Sequence, residues 1–235
     1  MIVFDGRGIV LDVEGTTSSI AFVYDVLFAF AREHVGGFLA ARSADEPTRL
    51  LAADLRAEAG DGVDRGPDWP AATAAAARDL MARDSKCTSL KMLQGMIWRR
   101  GFESGELVAH VFDDVPEALE RWATSGLDVR IYSSGSVEAQ RLFFGHTAHG
   151  DLTPWLRGHY DTTTGPKREP ESYQRIAADM GLEPRQILFV SDVGAELDAA
   201  RAAGMATALV ERPGNRLGDG VYAHDTITSF ADIVA

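Results

Sequence analysis

Two hydrophobic periods run along this chain, and their distribution divides it into regions of different architecture. Residues 9–13, 129–134, 187–192 and 206–210 are short apolar runs, rich in Val, Ile and Leu. Apolar residues that do not alternate with polar ones mark parallel strands covered on both faces. Between these runs the spacing changes to three and four, as expected of helices over 115–125, from Gly135 through Phe144, over 172–180 and over 195–203. Gly126, Gly181 and Gly204 follow three of them as C-terminal stops. Strand, helix, strand, helix predicts an α/β fold, a doubly wound parallel-sheet (Rossmann-like) core.

Residues 18–109 have a different texture. Ile20, Val23, Tyr24, Leu27, Phe28 and Phe30-Ala31 form one helical stripe, and Leu90, Leu93, Met96 and Ile97 share a face of another. Residues 50–59 and 71–83 also read as helix, whereas 60–70 is crowded with Gly, Asp and Pro and reads as a loop. No segment here has strand character. The economical organisation is an all-helical cap, 18–109, inserted after the first strand of a core made of 1–17 and 110–235. Such a cap is expected over the carboxyl edge of the sheet, where it would exclude water from a site.

Composition narrows the function classes. The chain has 235 residues, 46% hydrophobic and 25% charged, with a formal net charge of -12. That charge argues against a nucleic-acid partner, which would require clustered Lys and Arg. An anionic substrate would need a local positive centre, which can act because distant charge is screened beyond roughly 8 Å at physiological salt. The single cysteine, Cys87, excludes an internal disulfide. With no signal-peptide layout in residues 1–8 and no apolar run long enough for a bilayer, a cytoplasmic protein without a membrane partner is expected.

The candidate chemistry lies where strands end. Open α/β sheets place their sites at the carboxyl edge, and three such ends carry polar residues: Asp12 with Glu14, Ser133 with Ser134, and Asp192. In extended backbone, residues 12 and 14 would project to the same side. Carboxylates held together repel unless a cation or a shared proton intervenes, and an oxygen-only cluster suits Mg²⁺. Hydroxyls and backbone N–H groups at Ser133-Ser134-Gly135, just before a helix, would cradle phosphate. Lys167, in the loop 164–169, supplies a point charge for phosphoryl oxygens, and an aspartate can attack phosphorus to form an acyl phosphate.

An Asp on the first strand, a Ser or Thr on a second, then a Lys, then a metal-binding acid: this order resembles the haloacid-dehalogenase-like phosphohydrolases. Within that superfamily, Leu11-Asp12-Val13-Glu14-Gly15-Thr16-Thr17, Tyr132 to Gln140, Lys91-Met92-Leu93-Gln94-Gly95 with Trp98-Arg99, and Arg212-Pro213-Gly214-Asn215 are similar to the enolase-phosphatases of methionine salvage. The resemblance spans nearly the whole chain. It implies enolisation of a small phosphorylated diketone, 2,3-diketo-5-methylthiopentyl 1-phosphate, followed by dephosphorylation to an acireductone, in a monomer with one Mg²⁺. It further implies Asp12 as nucleophile and metal ligand, and Glu14 as acid/base with its backbone carbonyl on the metal. Asp192 would complete the metal site, with Ser133, Ser134 and Lys167 on the phosphate. Glu14 stands where most of the superfamily carries Asp, as it does in enolase-phosphatases. Glu196 is the candidate second acid of the fourth motif, either as a direct ligand or through water.

Blander roles exist for each residue taken alone. Ser133 and Ser134 could cap the following helix, and Asp192 the one after it. Lys167 could be an ordinary loop lysine. Trp98, Phe22, Phe28 and Phe30 fit a helix core better than a pocket. The six histidines show no zinc-site spacing, and Cys87 reads as a small buried residue near the start of a helix. Rival functions on the same acids are another capped phosphatase, a dehalogenase, a phospho-acceptor receiver and a non-catalytic scaffold. The helical insert disfavours the receiver, and the filled catalytic positions disfavour the scaffold.

Overall fold

The computed structural model describes residues 1–60, 66–85, 87–215 and 223–235. Part of the loop expected over 60–70 lies outside them. In chain order the elements are β1 (Ile2–Val3), β2 (Gly8–Leu11), a π-helix (Phe22–Phe28), α1 (Ala29–Ala41), α2 (Glu46–Glu58), α3 (Trp69–Ala82) and α4 (Thr88–Ser104). They continue with α5 (Val115–Thr124), β3 (Asp128–Tyr132), α6 (Val137–Gly145), β4 (Gly158–Tyr160), α7 (Pro170–Met180) and β5 (Ile187–Ser191). The last are α8 (Gly194–Ala202), β6 (Ala206–Val210), β7 (Asp225–Ile227) and β8 (Ile233–Val234). They form two compact units, Met1–Phe22 with Val108–Ala235, and Val23–Leu107.

The first unit is built on a six-stranded parallel sheet in the order β4-β3-β2-β5-β6-β7. From β2 the chain adds strands outward on one side and then on the other, so the order reverses beside β2, where such sheets bind ligands. Every residue of β2 and β5 is buried, as the unalternating sequence requires. Val10, Tyr132 and Phe189 pack against Tyr173 and Ile176 of α7 and Leu197 and Ala200 of α8. α5 packs against β3. Each fully buried aliphatic or aromatic side chain contributes about 1.5–3 kcal/mol.

Four strands escape the sequence pattern. β4 and β7 have three residues each, and β1 and β8 pair only with each other through two residues apiece. Runs that short carry no period.

The second unit is all-helical among its described residues. Phe38, Leu39, Leu55, Trp69, Leu90 and Ile97 belong to its core. Asp45 caps α2 by accepting from Thr48 N (3.0 Å), and the buried Arg56 donates to Thr73 Oγ1 (3.1 Å). The first helical stripe is π-helical over Phe22–Phe28 before becoming α-helical, a difference from regular three-four spacing. Trp98 Nε1 donates to Leu27 O (2.8 Å), and its ring packs on Phe28. Cys87 is half-buried and immediately precedes α4. No helix among the described residues is long and apolar enough to cross a membrane.

Candidate active site at the carboxyl edge of the sheet

Strand register brings the candidate residues to one edge. Leu11 lies level with Ile131 of β3 and Val190 of β5. Asp12, Ser133 and Asp192 therefore emerge from three neighbouring strands on the same side. Asp12 stays tied to β5 through its N–H to Val190 O (3.0 Å). The backbone then turns sharply, because Val13 O accepts from the N–H groups of Thr16, Thr17 and Ser18. The half-buried Glu14 lies within this turn, beyond the end of β2 at Leu11.

Asp12 is 4% exposed, and both of its carboxylate oxygens accept hydrogen bonds. Its Oδ1 accepts from Val13 N and from Lys167 Nζ, both at 2.7 Å. Its Oδ2 accepts from Ser191 Oγ (3.1 Å). The same ammonium reaches Glu196 Oε2 at 2.5 Å, and Ser191 Oγ also lies 3.2 Å from that oxygen. Ser191 has a single hydroxyl proton and cannot satisfy both acids at once. Glu196 is therefore engaged by the lysine, which defines its place more sharply than its sequence position could.

The lysine is delivered by a loop whose carbonyls are held one by one. Arg175 Nη1 donates to Thr164 O (2.6 Å) and Tyr132 OH to Gly165 O (2.9 Å). Ser172 Oγ donates to Pro166 O (2.8 Å) and Tyr173 OH to Lys167 O (2.7 Å). Gly165 has φ +147°, and a Cβ there would stand 2.2 Å from Ser172 Oγ, so only glycine fits. These anchors come from β3 and α7, which no local motif around Lys167 reveals.

Electrostatically the cluster has more acid than base. Burial alone would lower the Lys167 pKa, but Asp12 and Glu196 raise it and keep the ammonium charged. Burial, reinforced by Asp12, pushes Asp192 up to about 7, and the same two causes push Glu196 up to about 7. Asp192 Oδ1 is buried with no hydrogen-bond partner. An uncompensated carboxylate oxygen beside an excess of acids fits a divalent cation. Among the described residues no group of three His, Cys, Asp or Glu side chains is arranged to hold a metal. An oxygen-only donor set of this kind suits an ion such as Mg²⁺, which one or two carboxylates hold together with substrate and water oxygens.

Neither serine that follows β3 caps a helix. Ser136 caps α6 by accepting from Ala139 N (3.2 Å). Ser133 is buried and its Oγ accepts from Gly135 N (3.3 Å), while Ser134 is exposed. Gln140 of α6 braces this loop, its Nε2 donating to Gly135 O and Tyr160 O, both at 2.8 Å. Nor does Asp192 cap α8, whose side-chain cap is absent; its backbone N–H donates to Thr16 Oγ1 and its Oδ2 accepts from Asn215 Nδ2. Asp12, Lys167 and Glu196 are joined by direct contact, with Asp192 close enough to Asp12 to feel its charge. Ser133 and Ser134 share their edge by register.

Side chains that residue chemistry alone did not single out complete the frame. Arg212 is buried, donates Nε to Thr16 O (3.0 Å) and pairs with Asp114 Oδ2 (2.9 Å). Burial opposes ionisation of Asp114, yet Arg212, Phe230 N–H and Ser229 together hold its carboxyl below the usual range. The only sequence signal for this bracket is the run Arg212-Pro213-Gly214-Asn215.

Known proteins are similar to this chain over nearly its full length. Residues 7–204 match the model of the haloacid dehalogenase-like hydrolases. A protein of Pseudomonas aeruginosa named Enolase-phosphatase E1 is 46% identical, covering 97% of this chain and 98% of its own. One of the same name from Synechococcus elongatus is 47% identical, with coverages of 92% and 94%. Among solved structures, the UTR4 protein of Saccharomyces cerevisiae is 33% identical with a TM-score of 0.82, covering 96% of this chain and 98% of that one.

Proposed function

Because the chain belongs to the haloacid dehalogenase-like hydrolases, and within them to the enolase-phosphatases, we propose that it enolises 2,3-diketo-5-methylthiopentyl 1-phosphate and then dephosphorylates the enol to an acireductone. The contact that supports this most directly is Lys167 Nζ on Asp12 Oδ1 at 2.7 Å. It joins a buried nucleophile to the charge that an incoming phosphoryl group requires.

Asp12 attacks phosphorus, and the bond from phosphorus to the enol oxygen breaks. Glu14 gives that oxygen its proton. Water, deprotonated by Glu14, then displaces Asp12 from the acyl phosphate, releasing phosphate and restoring both carboxyl groups. Lys167, Ser133 and Ser134 hold the phosphoryl oxygens, the serines through hydroxyl and backbone donors. Phosphatases of this family generally use Mg²⁺. Asp12, Asp192 and the Glu14 carbonyl would hold the ion, which supplies counter-charge to the phosphoryl group and polarises the dicarbonyl.

Enol formation and phosphate release should be followed together from the diketone phosphate, with Mg²⁺ and with chelator. Both should appear and both should need the metal. Phosphate release from unrelated esters without turnover of the diketone would replace this substrate with another phosphorylated metabolite.

A further inference from the structure

Asn215 joins two loops of the site. Its Nδ2 lies 2.7 Å from Gly15 O and 3.0 Å from Asp192 Oδ2. A backbone carbonyl only accepts, and so does an ionised carboxylate, so the amide must present its nitrogen to them. The reverse orientation would oppose oxygen to oxygen. Three residues earlier, Arg212 fastens the same segment to Thr16 O and Asp114. Gly15 packs so closely that a Cβ there would stand 2.1 Å from Asp192 Oδ2. One oxygen of the Asp192 carboxylate is thus fixed by an amide and crowded by backbone. The other, Oδ1, is buried and bare.

We infer that Asn215 is a positioning residue for the cation site, holding Asp192 by Oδ2 so that Oδ1 is the oxygen turned to the divalent ion. This rests on the metal-dependent function proposed above. The donor's neutrality is what suits it. A lysine or arginine at that place would orient the carboxylate equally well but would neutralise the charge that attracts the ion. An amide fixes the geometry and leaves the charge. Outer partners of this kind typically contribute 10–100-fold to metal affinity.

The test is calorimetric titration of Mg²⁺ into the chelator-treated full chain, for the parent, for Asn215→Ala and for the near-isosteric Asn215→Leu. Near-UV circular dichroism without metal reports the fold. The expected result is a Kd for Mg²⁺ raised about 10–100-fold in both variants, with unchanged spectra. Mg²⁺ should also raise the melting temperature of the parent more than that of either variant. A Kd within twofold of the parent in a folded variant would overturn the assignment. So would loss of the fold in both variants, which would make Asn215 a structural clamp. Absence of Mg²⁺ binding by the parent itself would overturn the metal-dependent function and this inference with it.

Discussion

Lys167 Nζ stands 2.7 Å from Asp12 Oδ1, across a gap in sequence that only the sheet closes. The ammonium is also the partner of Glu196, so its removal would strand two buried acids. Lys167→Met should lower phosphate release by about 10²–10³-fold, the scale of losing one preorganised charge at a transition state. It should also cost about 3–5 kcal/mol of stability without metal, as breaking a buried pair does. Mg²⁺ should restore part of that stability but not the rate. Urea unfolding with and without Mg²⁺, beside a phosphate assay, checks both halves. A variant of parental stability without metal would mean that the acids do not depend on this lysine.

Asp12→Asn keeps the shape of the side chain and removes the attacking oxygen's charge. Phosphate release should fall below detection while the fold persists, since Val13 N–H, Ser191 and the strand register still hold the position. Phosphate release at the parental rate would remove Asp12 as nucleophile.

Much of this site was legible because the sequence places its acids directly after strands. Ile9-Val10-Leu11 and Ile187-Leu188-Phe189-Val190 announce buried parallel strands, and Asp12 and Asp192 follow them. What stayed hidden depends on contacts between distant segments. The hold of Tyr132 and Tyr173 on the Lys167 loop, or of Asn215 on Asp192, spans residues with no shared period. The turn at Val13, where three N–H groups converge on one carbonyl, likewise carries no period that a sequence pattern could show. Ser136, rather than Ser133 or Ser134, caps α6 because the helix begins only at Val137.

Gly15 is the position at which a single methyl should do most damage. Its φ is +72°, which costs a non-glycine residue roughly 1–2 kcal/mol, and the added Cβ would overlap Asp192 Oδ2. Gly15→Ala should therefore lower stability and also push the Asp192 carboxylate out of place. The signature is a raised Mg²⁺ requirement for phosphate release beyond what the lower melting temperature explains. An unchanged Mg²⁺ dependence would show that the carboxylate can relax.

Gln140 braces the loop that carries Ser133 and Ser134 without belonging to it. Its side chain is buried and its Nε2 serves two carbonyls. Gln140→Leu leaves Gly135 O and Tyr160 O without that donor, at a cost of about 1–3 kcal/mol. Because the loop is proposed to hold phosphate, KM for the phosphorylated substrate should rise more than kcat falls. Equal effects on both, or none, would confine Gln140 to the fold.

His159 gives the protein an acid-side instability separate from its carboxylates. Burial, with a smaller push from Arg141, lowers its pKa from 6.5 to about 4, and its Nδ1 faces Gln140 Oε1 at 3.2 Å. The folded chain therefore keeps this ring neutral while the unfolded chain protonates it. As pH falls from about 6.5 towards 4, the unfolded state binds a proton that the folded state refuses, and stability must drop through that window. Above it, neither state carries the charge and the histidine contributes no slope. His159→Gln cannot titrate and removes this component, leaving the response of the acids unchanged. Urea midpoints measured across the window should thus fall more steeply for the parent than for the variant, with parallel curves above neutrality. Equal slopes throughout would mean that the folded state accepts the proton and that His159 is not shut away from water.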